Sequence, residues 1–173
     1  MAGPEATPRP ATPADVPMLA RLHVQCWQET YTGLLPAAEI AARGIEQRTR
    51  QWTDQIAAGR SRIAVLPDLG FAQAGPQRDT PLLEQGFPLE LYALYLLRAG
   101  QGRGLGLALL RAVIRPGDGP MSALVLAGNQ PAIRFYEASG ARRLETRAEH
   151  VGAAPIEEHV YVWDRPATVL DHR

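Results

Sequence analysis

The chain has 173 residues, enough for one domain with a substantial core. Its 18 acidic residues balance 18 basic ones, and every basic residue is arginine, so nothing favours a nucleic-acid or anionic-membrane partner and lysine chemistry is excluded. The single cysteine, Cys26, excludes an intrachain disulfide and a cysteine-rich metal site, and the four scattered histidines lack metal-binding spacing.

The N-terminal residues are polar and contain prolines, unlike a signal peptide. No apolar run approaches the roughly 20 residues of a membrane span. We therefore expect a cytoplasmic protein that does not bind membranes. Residues 1–10 are predicted to be a tail or a short first strand, and residues 11–173 a single domain.

The first third of the chain predicts three helices. The first begins with Asp15 as N-cap, which leaves Pro17 in the first turn, and ends near Gly33; Thr12 as N-cap would put Pro17 too deep in the helix. The second runs over residues 36–44 and the third over residues 45–59. His23 and Cys26 lie on the apolar stripe of the first helix and are interpreted as core residues.

Aromatic side chains recur in these helices. Trp27, Tyr31 and Trp52 either form a lid beside a substrate cleft or pack as ordinary core aromatics, and the sequence leaves both open. Residues 61–66 and 70–75 then read as two strands joined by a tight turn. The proline- and glycine-flanked residues 76–87 are predicted to be a long polar loop.

The most informative stretch is 90–114. Its first eight residues are nearly all apolar and predict a strand covered on both faces. Glycines then follow at every second position from Gly100 to Gly106, and a helical apolar pattern runs from Leu105 until Pro116 ends it. Such a strand, turn and helix bring unpaired amides and a helix N-terminus to one place, which favours binding of an anion.

The spacing of this turn discriminates between phosphate sites. A P-loop needs a lysine, which the chain lacks, and no register of the glycines gives G-x-G-x-x-G. The segment from Gln101 to Gly106 instead has the form Q/R-x-x-G-x-G/A. It resembles the acyl-CoA pyrophosphate loop of the GNAT superfamily of N-acetyltransferases. A glycine-rich turn without a ligand is the structural alternative.

The remaining elements are a strand over residues 121–127, a helix capped by Asn129 and ended by Gly140, and strands over 141–145 and 159–163 separated by a loop containing 152–155. This order predicts an α/β or α+β fold with a mixed sheet flanked by helices. The segment following residue 128 resembles the GNAT pattern N-x-x-A-x-x-F-Y-x-x-x-G-F, which is matched by Asn129, Ala132, Phe135, Tyr136 and Gly140, with Ala141 in place of the last Phe.

The likeness covers residues 10–165 and implies a GNAT-like, mostly antiparallel central sheet. Residues 61–75 are shorter than the usual strand pair of the family, which affects the expected geometry on the substrate side. The resemblance also implies the following cofactor-binding residues: the backbone of Leu96 and Leu97 along the pantetheine arm, the amides of Gln101, Gly102, Arg103, Gly104, Leu105, Gly106 and Leu107 on the pyrophosphate, and Asn129 on the pantetheine amide.

The same resemblance implies the chemistry. The amide of Leu96 would polarise the thioester carbonyl, and the Tyr136 phenol would protonate the leaving thiolate, with packing against Ile133 as its alternative role. Glu90, at the start of the central strand, is the candidate general base, and Glu157 and Glu158 are alternatives.

The predicted function is transfer of an acetyl group from acetyl-CoA to a primary amine of a small molecule or peptide, without a metal. The resemblance also implies a homodimer as one candidate assembly, because dimers are frequent in the family. A CoA-binding sensor without turnover is one rival. A nucleotide-binding domain is a second, weakened by the missing lysine and glycine.

Overall fold

The computed structural model describes residues 7–171; residues 1–6, which belong to the predicted N-terminal tail, and 172–173 lie outside it. The strands are β1 Arg9–Pro10, β2 Arg62–Leu66, β3 Gly70–Pro76, β4 Leu89–Leu96, β5 Met121–Leu126, β6 Arg142–Val151 and β7 Ala154–Trp163. The helices are α1 Val16–Tyr31, α2 Ala37–Ala41, α3 Ile45–Ala58, α4 Thr80–Glu84, α5 Leu105–Ala112 and α6 Gln130–Ala138. Short 3₁₀ turns span Pro13–Asp15, Arg98–Gly100 and Pro166–Leu170.

Within the described residues the strands form one sheet in the order β1-β2-β3-β4-β5-β7-β6. All neighbouring pairs are antiparallel except β4 and β5, which are parallel because α5 connects them across one face. This confirms the expected mixed, mostly antiparallel sheet flanked by helices.

Two helical layers cover the sheet. On one face, α5 and α6 pack Leu109, Leu110 and Ile133 against the inner residues of β3, β4, β5 and β7. On the other face, α1 and α3 bury Leu19 and Trp52 against β2, β3 and β4. The central strands are therefore buried on both sides, which explains their nearly continuous apolar sequence.

At the start of α1, the side chain of the predicted N-cap Asp15 makes no capping hydrogen bond to α1 itself and instead forms a capping box with Thr12. Thr12 caps the 3₁₀ turn, and the Asp15 carboxylate accepts the Thr12 amide at 2.8 Å while Asp15 itself directly precedes α1. Pro17 falls in the first turn, as predicted. A bidentate ion pair with Arg9, closest at 2.7 Å, then holds the pKa of Asp15 well below its usual range.

The prediction of a loop over residues 76–87 is wrong, because this segment contains α4. Asp79 caps the helix by accepting the Leu82 amide at 2.9 Å, and Pro81 lies in the first turn. Leu82 is fully buried beside Phe87, Val160 and Val162. This helix covers the part of the sheet that α1 and α3 do not reach.

The predicted length of the loop between the last two strands is also wrong, because both strands are longer than predicted. Strands β6 and β7 are ten residues each and join through Gly152 and Ala153 alone, so pairing continues from Arg142 to Val151. β6 is an edge strand rich in Arg and Glu, and because of this polar composition the sequence pattern did not indicate its full length.

Among the helices of residues 7–171, none combines the length and the apolar character that a membrane span requires.

Candidate active site

A cleft opens where β4 and β5 separate. The two strands pair only from Leu89 with Met121 to Leu91 with Ala123, whereas β4 continues to Leu96 beside β3. The resulting cleft has a volume of about 660 Å³ and is lined by β4, the glycine-rich turn, β5, α6 and the end of α1. One edge of a central strand is thus accessible to a ligand.

A bulge in β4 sets the direction of its backbone. Ala74 pairs with Leu91 and Gln73 with Ala93, so Tyr92 is the extra residue. The Leu97 amide donates to the Leu69 carbonyl at 2.8 Å on the β3 side. Because alternate residues of a strand direct their backbone groups to opposite sides, the N–H and C=O groups of Leu94 and Leu96 point toward the cleft.

These contacts distinguish the two leucines predicted to lie along the cofactor. Leu96 lines the cleft, and its carbonyl accepts the Gln101 side chain at 3.0 Å. Leu97 is buried with α1 and α3 instead, and its amide is already bonded to Leu69.

The glycine-rich turn forms the floor at one end of the cleft. Gly102 and Gly104 have φ of +73° and +75°, a left-handed conformation that favours glycine, and an added Cβ at either position would meet nothing within 4 Å. Helix α5 follows, and its first bond back to the turn runs from the Ala108 amide to the Gly104 carbonyl. The amides of Leu105, Gly106 and Leu107 therefore have no acceptor in the helix, as the first turn of a helix requires.

This arrangement fits a pyrophosphate group. An open backbone surface, unpaired first-turn amides and the positive end of a helix dipole are the features that bind phosphate oxygens. Gln101, Gly102, Gly104, Gly106 and Leu107 line the cleft. Arg103 is exposed outside this lining, and Leu105 packs against the core beneath the turn.

Helix α6 forms the opposite wall and carries two predicted site residues. Asn129 caps the helix by accepting the Ala132 amide at 3.3 Å, and both it and Tyr136 line the cleft. Tyr136 packs edge-on against Trp163, with ring centroids 5.4 Å apart, and its hydroxyl makes no hydrogen bond within residues 7–171. Burial raises the pKa of this phenol, so it remains protonated at neutral pH.

Glu90 occupies a different environment from the cleft. It is 3% exposed on the face that carries α4, and its carboxylate accepts three hydrogen bonds from Arg78, the closest at 2.6 Å. The Arg78 guanidinium also stacks on Tyr92 at 3.9 Å from the ring centroid. Glu90 is therefore fully engaged and does not line the cleft.

The alternative bases differ in burial. Glu157 is exposed, whereas Glu158 is half-buried, and its carboxylate makes no ion pair or hydrogen bond within the described part of the chain. Burial raises the pKa of Glu158, and the nearby Glu149 carboxylate adds to this effect. Glu158 does not line the cleft either, but it interacts electrostatically with Tyr31, which does.

A pair of tyrosines was not predicted as part of the site. The hydroxyls of Tyr31, the last residue of α1, and Tyr95 of β4 are 2.9 Å apart, and both residues line the cleft with Tyr136. Trp27 packs on Tyr31, whereas Trp52 is fully buried against Phe71. Tyr31 therefore fits the prediction of an aromatic side chain beside a substrate cleft, and Trp52 fits the alternative of an ordinary core aromatic.

No group of three or more His, Cys, Asp or Glu side chains in residues 7–171 could hold a metal ion.

Comparison with known proteins gives a consistent assignment. Residues 19–141 match the acetyltransferase (GNAT) family. The chain is 28% identical over 166 residues to an uncharacterized N-acetyltransferase, YuaI of Bacillus subtilis, covering 91% of this chain and 92% of the other.

Solved structures share the fold. The PaiA N-acetyltransferase of Thermoplasma acidophilum, in complex with coenzyme A, superposes with a TM-score of 0.67 at 19% identity, over 87% of this chain and 96% of the other. The structure of YncA of Salmonella typhimurium, described as a putative acetyltransferase with its cofactor acetyl-CoA, gives a TM-score of 0.63 at 16% identity, over 91% of this chain and 92% of the other. The chain therefore belongs to the GNAT family and is an acyl-CoA-dependent N-acetyltransferase.

Proposed function

We propose that this protein transfers an acetyl group from acetyl-CoA to a primary amine of a small molecule or peptide, with the chemistry in the cleft between β4 and β5. The observation that carries the proposal is the convergence in one cleft of a free strand edge, an open glycine-rich turn and a buried phenol. Each of these groups suits a different part of an acyl-CoA thioester.

The turn would bind the pyrophosphate through backbone groups. The amides of residues 102–107 are directed by the left-handed Gly102 and Gly104, and neither glycine carries a side chain that would block close approach. Arg103 would contribute only at the solvent-screened rim. Asn129 would contact the pantetheine arm from the α6 wall.

The free edge of β4 would align the pantetheine arm and the thioester. The N–H groups of Leu94 and Leu96 point toward the cleft, so one of them can donate to the carbonyl oxygen as negative charge develops there. Tyr136 would give its hydroxyl proton to the departing sulfur. Its raised pKa keeps the proton available, and its fixed ring aims it.

Glu158 suits the role of general base better than Glu90. The buried Glu90 carboxylate is occupied by Arg78, so accepting a proton would break its ion pair and hydrogen bonds. The Glu158 carboxylate has no such partner within the described residues, and burial shifts its pKa toward neutrality, where a base is most effective. We therefore expect Glu158→Gln to reduce turnover more than the same change at Glu157.

A second cavity that adjoins the cleft offers space for the acceptor. A cavity of about 430 Å³ lies between the α1–α2 connection and the β6–β7 turn, and it shares Leu34 with the main cleft. Its walls include Pro36, Pro155 and Ile156, which suit an amine with an apolar body.

A homodimer remains a prediction that light scattering can test.

The decisive experiment is an acceptor screen with acetyl-CoA. Free thiol and acetylated product should appear together, in equal amounts, only when a primary amine is present. Binding of acetyl-CoA without thiol release on any amine of the panel would favour a CoA-binding sensor. Failure to bind acetyl-CoA would contradict both functions.

A further inference from the structure

The second cavity combines apolar walls with one carboxylate. Among the described residues that line it, Glu39 alone is charged. The other lining residues are all apolar: Leu34, Leu35, Pro36, Ala153, Ala154, Pro155 and Ile156. The volume of about 430 Å³ is in the usual range of sites for small molecules. A cavity of this kind suits a ligand with an apolar body and one positive charge.

The Glu39 carboxylate has one oxygen available to a ligand. Its Oε1 atom accepts the Ala153 amide at 3.0 Å, which holds the side chain at the β6–β7 turn. Its Oε2 atom lies 3.9 Å from Arg43 Nη1, which is too far for a hydrogen bond. That Nη1 atom donates instead to the Glu39 backbone carbonyl at 2.8 Å. Oε2 therefore accepts no hydrogen bond from residues 7–171, although the side chain is only 17% exposed.

A glycine makes this position of the carboxylate possible. Gly152 has φ of +59°, and a Cβ at this residue would overlap the Glu39 carboxylate. Close contact with the turn and the bond to Ala153 thus fix the carboxylate in the cavity before a ligand binds. A group that is already fixed loses less conformational entropy on binding, so its contribution to affinity is larger.

The charges around the cavity favour a cation. Ile156 lies directly opposite Glu149 in the β6–β7 register, and Glu158 follows on the same face of β7. Neither of these carboxylates has an ion-pair partner within the described part of the chain. Arg147, which is opposite Glu158, already pairs with two other carboxylates. The uncompensated charge on this face is negative, which attracts an ammonium group and repels an acceptor carboxylate.

The second cavity adjoins the main cleft at Leu34. This residue lines both cavities and is 40% exposed. Its side chain reaches the turn before α6, where a Cβ added to Gly128 would lie 3.0 Å from Leu34 Cδ2. The next residue, Asn129, lines the cleft. A ligand in the second cavity therefore lies one side chain away from the cleft to which we assign acetyl transfer.

We propose that the acceptor is a small molecule with two amines and that Glu39 is the residue that selects it. The inference rests on the proposed function. One amine, uncharged, faces the thioester in the main cleft and is acetylated. The other stays protonated and donates to Glu39 Oε2, and the carbon chain between them lies along the apolar walls. Glu39 thus binds and orients the substrate and takes no part in proton transfer.

The test compares an α,ω-diaminoalkane with the monoamine in which a methyl group replaces the second amine. Thiol release is followed at saturating acetyl-CoA. For the wild type, kcat/KM should be about 10- to 100-fold higher for the diamine, mainly through KM, because a hydrogen bond to a charged group contributes to this extent. The preference should shrink as the salt concentration rises, because salt screens the attraction.

Glu39→Gln should remove the preference for the diamine. Glutamine keeps an oxygen for the Ala153 amide but loses the charge, so kcat/KM for the diamine should fall about 10- to 100-fold, to the value for the monoamine. Glu46→Gln is the matched control. Glu46 is an exposed carboxylate in the first turn of α3 and lines neither cavity, so the preference should remain.

A pair of glycine variants tests the same contact through the turn. Gly152→Ala should displace the Glu39 carboxylate and reduce the preference for the diamine. Gly59→Ala is its control, because Gly59 has φ of +61° at the end of α3 and a Cβ there would meet nothing within 4 Å. Both changes strain a left-handed residue and should lower the melting temperature, but only Gly152→Ala should change the preference.

The inference is overturned if the wild type uses the monoamine as well as the diamine, or if Glu39→Gln leaves the preference intact. In both cases amine-dependent thiol release would still support the proposed function. Absence of thiol release with every amine, by a wild-type protein that binds acetyl-CoA, would contradict the proposed function and overturn the inference with it.

Discussion

Alanine at Gly104 gives a sharp test of the turn. An L-residue in the left-handed region costs about 1–2 kcal/mol, and the added Cβ would meet no protein atom within 4 Å. The free energy of unfolding should therefore fall by that strain alone. For a chain of this size, the melting temperature without ligand should drop by about 2–8 °C.

The effect on ligand binding should be larger. Acetyl-CoA at about 100 times its dissociation constant stabilises the wild type by about 2.7 kcal/mol. A methyl group in the open space above the turn would displace the pyrophosphate from the amides. If affinity falls about 100-fold, the same ligand concentration stabilises the variant by only about 0.4 kcal/mol. The ligand-induced rise in melting temperature then shrinks from about 5–11 °C to about 1–2 °C.

Gly86→Ala is the matched control. Gly86 has φ of +94° and also has nothing within 4 Å of an added Cβ, but it follows α4 and does not line the cleft. Thermal unfolding of both variants with and without acetyl-CoA separates strain from binding. An equal ligand-induced shift in Gly104→Ala and Gly86→Ala would refute the proposed contact between backbone and pyrophosphate.

Three further predictions concern the acid, the helix α4 and a buried histidine. Tyr136→Phe should lower turnover by a factor of about 10²–10⁴ and leave the affinity for acetyl-CoA unchanged. Tyr161→Phe is the control and should not change turnover, because the Tyr161 hydroxyl donates to Glu137 at 2.8 Å outside the cleft. Equal turnover in the two variants would show that Tyr136 is a packing residue. In chemical denaturation, Leu82→Ala should lower the free energy of unfolding by about 2–5 kcal/mol. Leu83 is half-exposed, so Leu83→Ala should change it by about 0.5 kcal/mol or less. Similar losses in the two variants would mean that α4 does not cover the sheet. Burial lowers the pKa of His23 from 6.5 to about 3, so the unfolded chain binds a proton that the folded chain excludes. The free energy of unfolding should therefore fall by about 1.4 kcal/mol per pH unit as the pH drops from 6.5 toward 3. His23→Leu should remove this contribution, and an unchanged slope of stability against pH would assign it to other groups.

The sequence predicts those parts of the site that are local. The strand, turn and helix around residues 90–114 and the Asn129 cap follow from glycine spacing, apolar period and capping chemistry within a few residues. The place of Tyr136 at the site was implied by the resemblance to the GNAT pattern, and α6, which packs Ile133 into the core, brings Tyr136 to the cleft.

The parts that it did not predict depend on distant residues. The separation of β4 from β5 needs the bulge at Tyr92 and the pairing of β5 with β7, which no local pattern encodes. The Tyr31–Tyr95 hydroxyl pair joins residues 64 positions apart.

The missed secondary structure has a different cause. The cap Asp79 with Pro81 in the first turn is a helix-start signal, but two prolines and a glycine around a five-residue helix outweighed it. In β6 both faces are largely solvated, so the alternation of apolar and polar residues that marks a half-buried strand is weak.

Amide hydrogen exchange followed by NMR tests the central claim most directly, because it observes the groups that would bind acetyl-CoA. Without ligand, the amides of Leu94 and Leu96 and those of residues 102–107 should exchange fast, whereas the Leu97 amide, bonded to Leu69, should exchange slowly. Saturating CoA should protect Leu94 or Leu96 together with the turn and leave Leu97 unchanged. Protection confined to other elements, or none at a CoA concentration that calorimetry shows to be saturating, would contradict the assignment of this cleft as the acyl-CoA site.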